Sequence, residues 1–158
     1  MKKVFTILLL FMATIGAQAQ FESGKIYSSL SLDGIDFSYQ SKDGFKIGVS
    51  GSAGVFVLDN WLAKTTLGYE HTKHYDNLRV GLGVDHYFQR NGIFVGLGAE
   101  YNHFTPKNND ILIPVEVGYA FFINRFITIE PKFYFKPAIF DFKDNTQVGL
   151  SIGFGFYN

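Results

Sequence analysis

The feature that most restricts this chain is an alternation of period two. It runs through almost everything after Gln20 and sorts residues by charge as well as by hydropathy. Successive side chains of an extended strand point to opposite faces, so the pattern marks strands that separate two different environments. Runs near 25–40, 44–58, 61–72, 78–89, 93–105, 111–123, 127–142 and 147–157 carry it, punctuated by Gly, Asn, Asp and Lys. The connections alternate in character. Leu58-Asp59-Asn60, Arg90-Asn91-Gly92 and Asn124-Arg125-Phe126 are tight, whereas 41–44, 72–77, 106–110 and 143–146 are a little longer and more polar. Eight strands bring both chain ends to one side. No helical period, linker or second domain interrupts them.

One face of these strands comprises fifty positions, among them Leu30, Leu67, Leu82, Leu97, Val117, Phe133 and Phe154, without one Asp, Glu, Lys or Arg. A charged fraction of 18% would place about nine there. The other face carries Lys46, Lys64, Glu70, Arg79, Asp85, Glu100, Glu116, Glu130, Lys132 and Lys136. Between them stand Gly48, Gly54, Gly68, Gly81, Gly83, Gly96, Gly98, Gly118, Gly149, Gly153 and Gly155.

Two barrels could use such sorting. A soluble lipocalin-like barrel turns the apolar face inward around a ligand. A membrane barrel turns it outward, because each Lys or Arg facing lipid costs about 2–4 kcal/mol at mid-bilayer. The glycines decide between them. Gly weakens a strand and serves no purpose on a wet surface, whereas an eight-stranded interior is barely wide enough for side chains and pairs large with small. Aligning the apolar faces sets Lys64 opposite Gly54, Glu70 opposite Gly48 and Lys132 opposite Gly118. It also sets Asp85 opposite Gly98, Glu100 opposite Gly83, Tyr87 opposite Gly96 and Glu130 opposite Ala120, with Asn91-Gly92 as a two-residue type I′ turn. The fold expected is therefore an all-β, eight-stranded antiparallel up-and-down transmembrane barrel with its apolar face outward. The runs are long enough to span a bilayer, which takes about 9–11 tilted residues. Aromatics gather at both ends, with Trp61, Phe88, Phe121 and Phe156 near one rim and Tyr39, Phe45, Tyr69 and Tyr101 near the other.

The first twenty residues carry an address. Met1-Lys2-Lys3, a mostly apolar run from Val4 to Ile15, and Ala17-Gln18-Ala19 have the anatomy of a secretory signal peptide. Cleavage after Ala19 removes 1–19 and leaves 20–158 as the barrel domain, with 12 basic against 14 acidic residues, a net charge of −2. That balance offers no footprint for nucleic acid. The absence of cysteine excludes disulfides, thiolate metal sites and a Cys nucleophile.

These features together make the mature chain resemble the small outer-membrane β-barrel family, the OmpA- and OmpX-like eight-stranded proteins of Gram-negative envelopes. The most specific element is the last strand, Val148-Gly149-Leu150-Ser151-Ile152-Gly153-Phe154-Gly155-Phe156. It is similar to the C-terminal assembly signal of such barrels, with Leu150, Ile152, Phe154 and Phe156 as its apolar positions. Family members commonly end on the aromatic itself, whereas here Tyr157-Asn158 follow, and Pro114, Pro131 and Pro137 are a second departure. The resemblance implies an outer-membrane location and contact with outer-membrane lipids and lipopolysaccharide. It further implies handling by periplasmic chaperones and the barrel-assembly machinery, a monomeric state, and a structural or interaction role without cofactor or catalysis.

The chemistry-bearing residues allow two further readings. Lys64, Glu70, Arg79, Asp85, Glu100, Glu116, Glu130 and Lys132 form a lumenal polar network, either an ion path or a hydrogen-bonded filling, and the narrow lumen favours filling. His71, His74, His86 and His103 lie near strand ends. Some outer-membrane barrels that this chain resembles act on lipid A from the outer rim, which makes His103 and Thr105 candidates for a rim-active hydrolase or acyltransferase. A nucleophile needs a base and a group that orients the base, and no third member is evident. Only His71-x-x-His74 has metal-like spacing, so no metal site is expected. The Gly-x-Gly pieces at 81–83, 96–98 and 153–155 lie within strands and open no helix, so they are packing rather than a nucleotide loop. Lys42, Lys73, Lys107 and Lys143 recur one per loop, suited to lipid phosphates or to water.

Overall fold

A computed structural model describes residues 21–35, 47–71, 76–88, 91–105 and 108–158. The leader assigned to 1–19, together with Tyr39, Lys42, Phe45, Lys46, Lys73, His74 and Lys107, lies outside the described residues. The elements are β1 (Ile26–Ile35), β2 (Ile47–Leu58), β3 (Trp61–His71), β4 (Asp76–Tyr87), β5 (Ile93–Thr105), β6 (Asn108–Leu112), β7 (Val115–Tyr119), β8 (Phe121–Phe122), β9 (Ile127–Lys136) and β10 (Gln147–Tyr157), with a one-turn helix α1 (Phe142–Asn145) before β10. All pairings are antiparallel.

These elements occupy eight positions around a closed barrel. β6 and β7 share one register on β5, where Glu100 pairs with Leu112 and Leu97 with Val115, and β7 and β8 share one register on β9. The breaks between the three pieces fall at Ile113-Pro114, where proline removes a ladder donor, and at Ala120. β1 pairs with β2 on one side and with β10 on the other, so no edge is left open. A bulge in β1 shows as a register shift against β10 between Asp33 and Ile35.

The sorting by charge is a sorting by side. Leu30, Leu67, Leu82 and Leu97 are 57–68% exposed, and Phe133, Phe154 and Phe156 more than 40%. Glu70, Arg79, Asp85, Glu100, Glu116, Glu130 and Lys136 are all buried. At the end where both termini lie, the interior is instead apolar. There Phe21, Tyr27, Phe56, Leu62, Tyr87, Phe94, Ala120 and Tyr157 pack into one cluster, with Phe122 against it. We call this the terminus end and the opposite one the loop end.

Three expectations about strand limits and register require correction. The turn after β4 is a four-residue connection, not a two-residue one, because Phe88 N donates to Ile93 O at 2.8 Å. The β4–β5 register is accordingly shifted by two. Asp85 lies opposite Gly96, Glu100 opposite Gly81 and Tyr87 opposite Phe94. A shift of two leaves every side chain on its face, and Gly81, Gly83, Gly96 and Gly98 are themselves spaced by two, so face and glycine pattern fit both registers. The strand expected over 127–142 ends at Lys136, since Pro137 follows and the N–H groups of Phe140 and Asp141 turn to the Asp110 carboxylate at 3.1 Å each. The remaining registers are as read: Lys64 faces Gly54, Glu70 faces Gly48 and Lys132 faces Gly118. Positive φ occurs where two tight turns need it, at Asn60 (67°) and Gly92 (72°).

Candidate functional site in the barrel lumen

The polar groups of the interior form three tiers along the barrel. The middle tier joins four strands. Lys64 of β3 extends its ammonium to Asp85 of β4 (Nζ to Oδ2, 2.6 Å) and to Glu116 of β7, whose other oxygen lies 3.6 Å from Lys132 Nζ of β9. The chain makes room for this contact at Gly96. A Cβ there would stand 2.6 Å from Glu116 Cγ, so any side chain would displace the carboxylate. The cations alternate with the anions, as burial of charge requires.

The second tier lies toward the loop end. Lys136 Nζ of β9 donates to both oxygens of Glu100, at 3.2 and 3.0 Å, and sits 5.1 Å from the centre of the Tyr134 ring. Asn102 Nδ2 donates to Glu100 at 3.0 Å, and Asn77 Nδ2 donates to Asn102 at 2.9 Å. Arg79 Nη1 stands 3.9 Å from Glu70 Oε2, with Gly68 opposite Arg79 leaving space for its side chain. A cavity of about 40 Å³ lies between the two tiers, lined by Ser50, Thr66, Pro114 and the charged groups themselves. That is enough for a few waters. Across these tiers Lys64, Arg79, Lys132 and Lys136 face Glu70, Asp85, Glu100 and Glu116, four charges of each sign.

The third tier is of another kind. Glu130 accepts from three hydroxyls, Tyr27 at 2.6 Å, Tyr157 at 2.7 Å and Thr128 at 2.7 Å, and Tyr87 and Tyr157 share a hydroxyl contact of 3.2 Å. Below it the aromatic cluster closes around Phe21. That ring stacks on Tyr87 with centroids 4.3 Å apart and meets Tyr157 edge-on at 5.8 Å. The strap that carries it is tied across the barrel end. Asn60 N donates to Phe21 O at 2.6 Å, Ser23 N to Asp59 Oδ1 at 2.9 Å and Gly24 N to Phe56 O at 2.8 Å.

Sequence reasoning placed all eight network residues on one face, but it did not give their partners. Glu130 does not join Glu116 and Lys132, which lie two residues and one strand away from it. It turns to the tyrosines instead. Lys136 was legible as a residue of the polar face but not as the partner of Glu100. The inward hydroxyls of Tyr27 and Tyr157 also went unread. The signal for Tyr157 was parity, since a residue next to outward Phe156 must point inward. Leu150, Ile152, Phe154 and Phe156, the positions resembling an assembly signal, form one outward row at 40–44% exposure.

The three described histidines, His71, His86 and His103, sit outside the lumen. At the loop-end rim His71 Nδ1 lies 2.6 Å from Asp76 Oδ1, which also accepts from Tyr69 OH at 3.1 Å. His103 Nδ1 lies 2.6 Å from Asn109 Oδ1. Asn109 is the orienting group that the sequence did not reveal, while Thr105 stands two residues along on the same outward face. His86 packs against Trp61 at 4.5 Å and Phe88 at 5.2 Å near the opposite rim. Among the described residues no three His, Asp or Glu side chains converge as metal ligands.

No protein-family model and no curated protein sequence matches the chain. Solved structures do. The N-terminal β-barrel domain of Pseudomonas aeruginosa OprF superposes with a TM-score of 0.70 at 13% identity, covering 86% of this chain and 98% of that one. The Pseudomonas aeruginosa outer membrane protein OprG gives 0.62 at 12% identity over 89% and 99%. Neisserial surface protein A gives 0.59 at 11% identity over 84% and 95%. The fold is thus the eight-stranded barrel found in small outer-membrane proteins.

Proposed function

We propose that this chain is an integral outer-membrane barrel, exported by the leader at 1–19 and serving a structural or interaction role in a Gram-negative envelope. The observation that carries the reading is the inversion of the usual globular arrangement. A soluble protein would not expose Leu30, Leu82, Leu97 and Phe133 while burying Arg79, Asp85 and Glu116. Hydrocarbon is the solvent that such a surface fits. The interior reads as a filled core with a few trapped waters rather than an open pore. Four basic and four acidic side chains, paired with one another, occupy its middle and an aromatic stopper its terminus end. The tight turns and both termini then face the periplasm, and the longer loops face outward toward lipopolysaccharide. Chaperones and the assembly machinery would be the partners during biogenesis, with the outward row at Leu150–Phe156 as the segment they recognise. The folded protein is a monomer.

Membrane fractionation combined with a heat-shift gel tests this reading. The protein is expected in the outer-membrane fraction, with folded and boiled forms migrating differently. Recovery in solution without detergent would return the case to a lipocalin-like barrel. The orientation is tested by a pair of neighbours. Leu82→Lys places a charge facing mid-bilayer and is expected to abolish the folded band, at about 2–4 kcal/mol. Gly83→Ala only crowds the lumen and is expected to retain it.

One observation favours a second reading. The His103–Asn109 contact fixes the imidazole as a catalytic base is fixed, with the Thr105 hydroxyl as candidate nucleophile for acyl transfer at the rim. Release of fatty acid from lipid A by the native protein, and its loss in His103→Ala, would establish that activity. The structural role predicts no release by either protein.

A further inference from the structure

We infer that the segment 139–142, between β9 and β10, is a rigid apolar anchor seated in the lipid headgroup layer at the loop end. The inference rests on the outer-membrane reading. Ile139, Phe140 and Phe142 are 55%, 74% and 59% exposed, and Phe140 is the most exposed large apolar side chain described. They are exposed because the backbone beneath them is already satisfied from within. Asp110, itself only 1% exposed, accepts from Phe140 N at 3.1 Å, Asp141 N at 3.1 Å and Asn145 Nδ2 at 2.8 Å. Ile139 N donates to Ile111 O at 2.9 Å, and Ala138 N to Thr146 Oγ1 at 3.2 Å. One carboxylate on β6 thus fixes the connection while its apolar side chains point away from the protein.

The level of the segment identifies what covers it. At about 3.3 Å per residue and a tilt near 40°, each residue advances roughly 2.5 Å along the barrel axis. The outward apolar row of β9 starts at Ile127 and is continued by Ile139, so it rises about 30 Å against an apolar band of about 25 Å. On β3 and β5 the corresponding rows, Trp61 to Tyr69 and Ile93 to Tyr101, rise only about 20 Å and then give way to His71 and His103. The apolar coat therefore stands higher on the β9 side and ends about 5 Å beyond the hydrocarbon. This falls within the headgroup layer, which adds about 5–8 Å on each side of the hydrocarbon. The anchor is continuous with the lipid-facing belt, and the outer-leaflet lipid that wets Phe133 and Phe135 is its occupant.

The test uses single-tryptophan proteins in a Trp61→Phe background, reconstituted into phosphatidylcholine vesicles brominated near the headgroup end of the acyl chain. Phe140→Trp reports the anchor and Leu82→Trp reports the belt. The expected result is loss of emission by bromolipid in both proteins, with Phe140→Trp shielded from aqueous iodide. Quenching of Leu82→Trp alone, with Phe140→Trp quenched by iodide, overturns the anchor and leaves the membrane placement standing. Absence of bromolipid quenching in both overturns the placement itself. Adding Asp110→Ala to Phe140→Trp is expected to raise iodide access while the heat-shifted folded band persists. Unchanged access in a folded protein would refute Asp110 as the clamp.

Discussion

The two halves of the lumen solve the same packing problem with opposite chemistry. At the terminus end Phe21, Phe56, Leu62, Tyr87 and Phe94 make a small apolar core of the kind found in any globular domain. In the middle and toward the loop end, Lys64, Asp85, Glu116, Lys132, Glu100 and Lys136 meet in short ion pairs around a small cavity. The aromatic half gains from dispersion and area burial. It needs no exact partner, and each ring pair adds about 0.5–1.5 kcal/mol beyond burial. The ionic half starts from a desolvation penalty that only complete pairing offsets. The difference teaches that tolerance to change is unevenly spread inside the barrel: shape governs one half and pairing the other.

Four substitutions, one of them added to another, would break or sharpen that contrast. The largest effect is expected from Tyr87→Ala, which removes a fully buried ring stacked on Phe21 and is expected to cost about 3–5 kcal/mol, read by urea unfolding in detergent or vesicles. The loss should be insensitive to ionic strength. Glu116→Gln is expected to cost about 3 kcal/mol by leaving Lys64 and Lys132 short of an anion. Adding Lys132→Met, which removes the ammonium that pairs with Glu116 while Lys64 keeps Asp85, should recover much of that loss, a rescue with no counterpart in the aromatic half. A double variant no better than Glu116→Gln would show that packing, not pairing, dominates there too. The smallest effect is expected at the boundary between the halves. Glu130→Gln keeps the shape and most of the hydroxyl contacts to Tyr27, Tyr157 and Thr128, and is expected to cost about 1–2 kcal/mol in the same unfolding measurement.

The same contrast explains what the sequence disclosed. Period two assigns each residue to a face, and a face is all that lipid and lumen require, so orientation, strand number and most registers were legible. Partners were not. A register slip of two is invisible to a periodic pattern, and the β4–β5 hairpin slipped by that amount because Gly81 and Gly83 offer Glu100 equal room. Glu130 and Lys132 share a face and a strand yet turn to different tiers, a choice set by Tyr27 and Tyr157 from strands at the two ends of the sequence. The end of β9 was misread because the group that ends it, Asp110, acts from another strand. At the rim, Asn109 binds His103 only after the strands pair. Information about faces is local, whereas information about partners belongs to the closed barrel.

The seam where β1 meets β10 carries a consequence for how the molecule is made. Tyr27 pairs with Tyr157, and Ile26 exchanges both backbone hydrogen bonds with Asn158, so the first and last strands of the barrel share a single ladder. Shutting that seam spans nearly the entire chain, the most expensive loop in entropy that the fold contains. A polypeptide without β10 would therefore keep β1 and β9 as two raw borders, and only the arrival of that strand turns the ribbon into a ring.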